Sequence, residues 1–205
     1  MREGWQEFLP GPKPGNREQR VHVDAPDAAI LVADSIYAFG LDSISSIDEI
    51  VLLCIGTDRS TGDSLGPLVG TRMTERSSVG FTVLGTLDNP VHATNLSETM
   101  EWVRRQYANP FVIAVDASLG RTESVGYITI GKGSLRPGAG VNKSLPAVGN
   151  VFVTGVVNVG GFMEYLVLQN TRLSLVFRMA GVVAQGIAQG ISSLVSRHPA
   201  TYSHS

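Results

Sequence analysis

IGTDRSTGDSLGP, residues 55–67, follows the apolar run Val51-Leu52-Leu53-Cys54 and leads into Leu65, Leu68 and Val69. A short continuous apolar run that stops at glycine is the mark of a strand buried on both faces. The spacing that follows predicts a helix from Ser64 to Arg76. Strand, glycine-rich loop and helix together make the first half of a βαβ unit. Two acids, Asp58 and Asp63, stand in that loop, just beyond the carboxyl end of the strand.

Working outward, the same alternation continues. Asp24 to Gly40 is helical in pattern. Phe81 to Leu84 reads as a second strand and Thr94 to Tyr107 as a helix, with Thr94 at the capping position. Phe111 to Val115 is a third buried strand. Gly126 to Ile130 alternates, as an edge or antiparallel strand does, and Val151 to Val157 is again buried. The last helix has larger apolar residues at 173, 176, 179/180, 183, 187, 191 and 194, one face at helical spacing. Arg178, Gln185 and Gln189 interrupt it, so it reads as a core helix and not as a membrane span. Strands alternating with helices of about a dozen residues argue for an α/β fold with a mostly parallel sheet. Residues 1–20, with PGPKPGN inside them, read as a flexible arm. Residues 21–198 read as one α/β domain and 199–205 as a tail. The glycine-rich stretch 131–150 reads as a long loop.

The chain has 205 residues, enough for one sizeable core, and is 43% hydrophobic. Its net charge of −2 offers no basic face and weighs against direct nucleic-acid binding. The single cysteine, Cys54, lies in an apolar run, so it reads as a small hydrophobe in a reducing compartment. No secretory signal is visible at the N-terminus.

In parallel sheets the working site lies beyond the carboxyl ends of the strands. Three such ends carry chemistry. The first is the loop with Asp58 and Asp63. The second, LGTLDNPVHATNL, carries Asp88 and His92. The third, VIAVDASLGR, puts Asp116 directly after Val115. Two carboxylates meeting at one sheet edge divide acid and base roles, because like charges push one pKa up. Such a pair activates water against a peptide bond or holds a metal that does so. Taken singly, Asp63 reads equally as a helix cap and Asp116 as a turn former, and Asp58 with Arg59 as a surface ion pair. No G-K-[ST] and no G-x-G-x-x-G follows the first strand, which weighs against a nucleotide site.

IGTDRSTGDSLGPLVG followed by VIAVDASLGR resembles the YyaC-type sporulation proteins of endospore-forming bacteria, and more distantly the spore germination protease. A third stretch, RPGAGVNKSLPAVGNVFVTGVVNV, resembles that protease's P-G-x-G-V-G-N-K loop and the strand and turn after it. The resemblance spans roughly residues 50–165. It implies a three-layer α/β/α sandwich, phosphorylase/hydrolase-like, of the kind shared with the hydrogenase-maturation peptidases. It implies catalytic aspartates at Asp63 and Asp116, and a sporulation-associated role. Gly62 replaces a family proline before Asp63, the GVNK loop lacks one glycine, and Asn158 stands near a family threonine.

The leading expectation is therefore an endopeptidase of the forespore or mother-cell cytoplasm, acting on a spore protein or peptide. Asp63 and Asp116 would be catalytic. Asp58, His92, Asn142, Lys143 and Asn158 would bind or orient the substrate. Two other readings stay open: a non-catalytic peptide- or protein-binding member of the same fold, and a hydrolase with a divalent metal on Asp63, Asp116 and His92. Neither a membrane nor a nucleic acid is an expected partner; a homo-oligomer is compatible with the sequence.

Overall fold

In the computed structural model, residues 17–41, 49–76, 81–138 and 145–197 are described. The elements in chain order are β1 (Glu18–His22), α1 (Ala28–Leu41), β2 (Glu49–Cys54), α2 (Leu65–Thr74), β3 (Thr82–Leu84), α3 (Leu96–Gln106), β4 (Pro110–Gly120), β5 (Tyr127–Lys132), β6 (Val151–Val159), α4 (Glu164–Gln169) and α5 (Leu173–Arg197). A single 3-10 turn, Gly62–Ser64, precedes α2.

The six strands form one sheet in the order β1-β5-β6-β4-β2-β3. β3, β2, β4 and β6 are parallel. β5 runs against β6, and β1 runs against β5, so β5 alone opposes the common direction. The apolar runs of β2 and β4 follow from burial on both faces. Ile50, Leu52, Cys54, Ile113 and Val115 face the core shared with α1, α2 and α5. Val51, Leu53, Val112 and Ala114 face the core shared with α3. The expected three-layer α/β/α architecture is the one observed.

α5 carries the fold's largest helix contact. Val176, Met179, Ala180, Val183, Ala184, Ile187, Ile191 and Leu194 are buried along one side, which packs against α1 and α2. By length and composition α5 is apolar enough to cross a membrane; the burial of that stripe makes it the core helix its spacing predicts. Leu173 is an exception to the stripe, being exposed.

Several boundaries differ from the sequence reading. The arm expected over residues 1–20 lies mostly outside the described residues, but Glu18–His22 form a strand on β5. That pairing makes β5 an interior strand rather than an edge. A five-residue segment rich in charge carries too weak an alternation to announce a strand. α3 starts at Leu96, with Asn95 at its capping position instead of Thr94; the Thr94 hydroxyl bonds the His92 ring instead. α4 is short and has no fully buried residue, so no periodicity marks it.

Gly85, just past β3, shows how closely the chain is drawn against the neighbouring strand β2. Its φ is +89°, and a Cβ there would stand 1.8 Å from the Cys54 carbonyl oxygen. Gly85→Ala is expected to destabilise the fold by about 2 kcal/mol or more, from backbone strain and overpacking together. Gly181, in the middle of α5 with open space at its Cβ, is the contrast: Gly181→Ala is expected to stabilise by roughly 0.5–1 kcal/mol. Urea midpoints of the two variants check both signs.

Candidate functional site

The site begins where β2 stops. Cys54 pairs with Val115, and the Ile55 N–H still reaches the Val115 carbonyl at 2.7 Å. Then the chain leaves the sheet. Gly56, at φ +143°, turns aside and donates to the Val91 carbonyl at 2.8 Å. A Cβ on Gly56 would fall 2.0 Å from the Asp63 carbonyl oxygen, so only glycine lets the loop fold back this tightly. The Thr57 N–H then donates to that same Asp63 carbonyl at 3.0 Å. The loop is thus closed on itself with Asp63 at its end.

β4 does not stop at Val115. It runs on to Gly120, pairing with β6 while β2 has already turned away. Asp116 is the first residue past the end of β2. It lies in a strand opposite Thr154, not in a turn. It is 8% exposed. By alternation along β4 it shares the α3 side of the sheet with Val112 and Ala114. Its Oδ1 accepts a hydrogen bond from the Ala117 N–H at 2.9 Å.

The two carboxylates feel each other. Burial holds the Asp116 carboxyl well above its ordinary value, and the Asp63 charge pushes it further the same way; the Ala117 N–H draws it back. Asp63 is also raised by burial, and the nearby His92 draws it down. The structure therefore brings Asp63, Asp116 and His92 together, with Asp116 the more strongly proton-holding of the two acids. Asp63 caps nothing: it sits inside the 3-10 turn, and neither Thr61 nor Ser64, at the two capping positions, makes a side-chain cap bond.

His92 is placed by its own local network. Its N–H donates to Asn95 Oδ1 at 2.8 Å, while Asn95 Nδ2 donates to the Pro90 carbonyl at 3.0 Å. The Thr94 hydroxyl lies 2.8 Å from His92 Nδ1. Asn95 and Thr94 are positioning residues the sequence reading missed. The signal was present in H-A-T-N, where an amide three residues on satisfies a loop N–H. Ser60 was missed too. Its hydroxyl, in the loop that carries Asp63, is buried without a hydrogen-bond partner.

The other expected site residues fare differently. Asp58 is exposed and accepts only a long bond, 3.4 Å, from the Thr57 hydroxyl. Asn158 is occupied internally: its Nδ2 donates to the Val167 carbonyl and to Thr171 Oγ1, both at 3.2 Å, and its Oδ1 accepts from the Val159 N–H. It ties β6 to α4 and has no amide hydrogen left for a substrate. Asn142 and Lys143 lie outside the described residues. The metal reading gains nothing from geometry: among the described residues no group of three or more His, Cys, Asp or Glu is placed to hold an ion. Cys54 is fully buried and burial pushes its thiol up, so it is no nucleophile.

Because the Asp116 carboxyl titrates higher folded than unfolded, the folded state binds the extra proton between the two values. The contribution of this group to stability is then greatest below the unfolded value near 4 and falls as pH rises above it. Asp116→Asn keeps an oxygen for the Ala117 N–H and removes the buried charge. It is expected to raise the melting temperature at pH 7 and to leave it nearly unchanged at pH 4. A variant destabilised at both pH values would contradict this.

Comparison with known proteins places the chain. It is 58% identical over 139 residues to "Uncharacterized protein YyaC" of Bacillus subtilis (strain 168), covering 68% of each chain. Among solved structures, the [NiFe] hydrogenase maturation protease HycI from Thermococcus kodakarensis KOD1 matches with a TM-score of 0.41 and 17% identity, over 72% of this chain and 97% of that one. Residues 23–186 match the family described as protein of unknown function, DUF1256. The chain belongs to the DUF1256 family.

Proposed function

We propose that this protein is an endopeptidase in which Asp63 and Asp116 hydrolyse a peptide bond. The observation that carries the reading is the unequal carboxylate pair: Asp116, buried in the sheet and held well up by that burial and then by its neighbour's charge, beside Asp63, which burial also raises but His92 draws part of the way back. That inequality is what acid–base division of labour requires. Asp63, ionised, takes a proton from water. The water oxygen attacks the substrate carbonyl carbon, and the carbonyl π electrons move to its oxygen. Asp116, protonated, gives its proton to the amide nitrogen as the C–N bond breaks. The products are a carboxyl group and a free amine, and the proton returns from Asp63 to restore the pair. His92 keeps Asp63 ionised at lower pH than burial alone would permit.

The motif resemblance to spore proteins supports a substrate protein of the sporulating cell and a place of action inside the forespore or mother cell. Extracted small acid-soluble spore proteins are the substrate to try first. Discrete fragments by intact mass spectrometry are expected from the native chain. The Asp63→Asn/Asp116→Asn double variant should cut at least about 100-fold more slowly, the usual share of acid–base catalysis. Full activity in that variant would refute the proposal. Saturable binding without any cleavage by the native chain would turn the protein into a docking member of the fold.

The pH profile of kcat/KM is expected to be bell-shaped, with both limbs belonging to the coupled pair. Asp63 must lose its proton for the acid limb to rise, and Asp116 must keep its own for the alkaline limb to hold. Both limbs fall above the ordinary carboxylate range, because both groups are raised. His92→Gln removes the charge that lowers Asp63, so the acid limb should move to higher pH. An acid limb that stays in place would exclude His92 from this role.

A further inference from the structure

A groove of about 900 Å³ runs along the outer side of β3. Its floor is the sheet edge at Val83 and Leu84. One wall is α2, with Thr71 and Thr74. The other is α3 with its capping residue Asn95, and with Glu98, Thr99 and Trp102. The loop 85–90 passes beyond the end of β3, pinned by Leu87 N–H to Thr71 Oγ1 at 3.0 Å and by Thr86 N–H to the Asn89 carbonyl at 3.1 Å. The chain then returns at Val91, which pairs in parallel with Ile55. His92 therefore lines the end of the groove and at the same time acts on Asp63. Neither Asp63 nor Asp116 lines the groove; His92 is the residue the groove and the two-aspartate site share.

Two features specify what would lie in it. Among the described residues β3 pairs only with β2 and is the last strand of the sheet. An open strand edge at the floor of a groove is a template for an extended chain, which gains main-chain hydrogen bonds by adding a strand. Charge gives the second. Asp88 and Glu98 line the groove, no lysine or arginine among the described residues does, and Trp102 stands 41% exposed on the α3 wall. Carboxylates beside an exposed indole suit a cationic side chain, by charge complementarity and by cation–π attraction.

We propose that this groove binds an extended peptide with basic side chains, added as a seventh strand along β3, and that it delivers the scissile bond to the Asp63–Asp116 pair. The proposal rests on the peptidase reading for its last clause only. The groove assigns the substrate class: an unfolded or loop segment carrying lysine or arginine next to the bond that is cut. A folded helix would not fit, since it offers no main-chain donors or acceptors to the strand edge.

The test separates binding from catalysis. The full-length chain carries Asp63→Asn, so that peptide is not consumed, and Trp5→Phe, so that Trp102 is the only indole. It is titrated, at low salt and followed by indole fluorescence, with three capped hexapeptides. One alternates lysine with valine. One replaces each lysine with glutamate. The third is the lysine peptide N-methylated at alternate backbone nitrogens. Saturable binding of the lysine peptide is expected, with affinity at least about tenfold weaker for the glutamate and N-methylated peptides, and a similar loss in Glu98→Lys. Circular dichroism of Glu98→Lys should show an unchanged fold, as its side chain is exposed. Equal binding of the three peptides, or no binding of any, overturns the groove assignment. The native Asp63 chain is then given the lysine peptide. Binding without cleavage by that chain refutes the catalytic reading and leaves the groove assignment standing. Cleavage at undiminished kcat/KM in Glu98→Lys refutes the groove assignment and leaves the pair standing.

Discussion

A carboxyl group buried in the middle of an apolar sheet is the constraint around which this site is organised. Asp116 sits between Val115 and Ala117 in a strand whose preceding residues are almost wholly buried. Taking an ionised carboxylate out of water is costly, and a protein ordinarily relieves the cost by pairing the charge or protonating the group. Asp116 accepts one backbone N–H and, among the described residues, forms no ion pair; the charge that acts on it is another carboxylate. The fold therefore favours the protonated acid. That is a poor arrangement for stability and a good one for proton transfer.

The sheet supplies what makes the arrangement tolerable. Both faces of β2 and β4 are sealed, one by α1, α2 and α5 and the other by α3. The helices after β2 and after β3 lie on opposite faces, so the two connections part at the carboxyl end of β2 and leave a crevice there. Such a parting is where open α/β sheets bind their ligands. Here it is deepened by a mismatch in strand length: β2 ends at Cys54 while β4 and β6 continue together for several residues. The exposed step is where Asp116, Asp63 and His92 converge.

α4 anchors the loop from the other side. Leu168 and Thr171 pack against Gly62, where a Cβ would approach Leu168 to 2.7 Å, and Asn158 ties the end of β6 to the same helix and to Thr171. The turn that carries Asp63 is thus clamped between the sheet and a short helix with an otherwise exposed face. Phe162, 94% exposed, stands at its leading edge. Packing on both sides of the turn fixes where the Asp63 backbone stands.

Much of this was legible in the sequence because its causes are local. Continuous apolar runs at 51–55 and 111–115 read as strands buried on both faces, and the periodicity of 173–194 reads as one buried side of a long helix. A glycine-rich loop with an acid after the first run, and an acid directly after the second, put Asp63 and Asp116 at strand ends by position alone. The tertiary structure decided the rest. Which strands neighbour one another determines that β4 outlasts β2, and therefore that Asp116 is buried in a strand instead of standing in a turn. Pairing with β5 turned residues 18–22 into a strand that their composition does not announce. Asn158 and Asp58 looked equivalent as polar residues near strand ends; hydrogen bonds to Val167 and Thr171 occupy the first, whereas the second stands exposed on the loop. His92 became part of the site only because Val91 returns to Ile55 across 36 residues of chain. Local sequence sets what each segment becomes, whereas the convergence of distant side chains depends on strand order and register, which no single segment encodes.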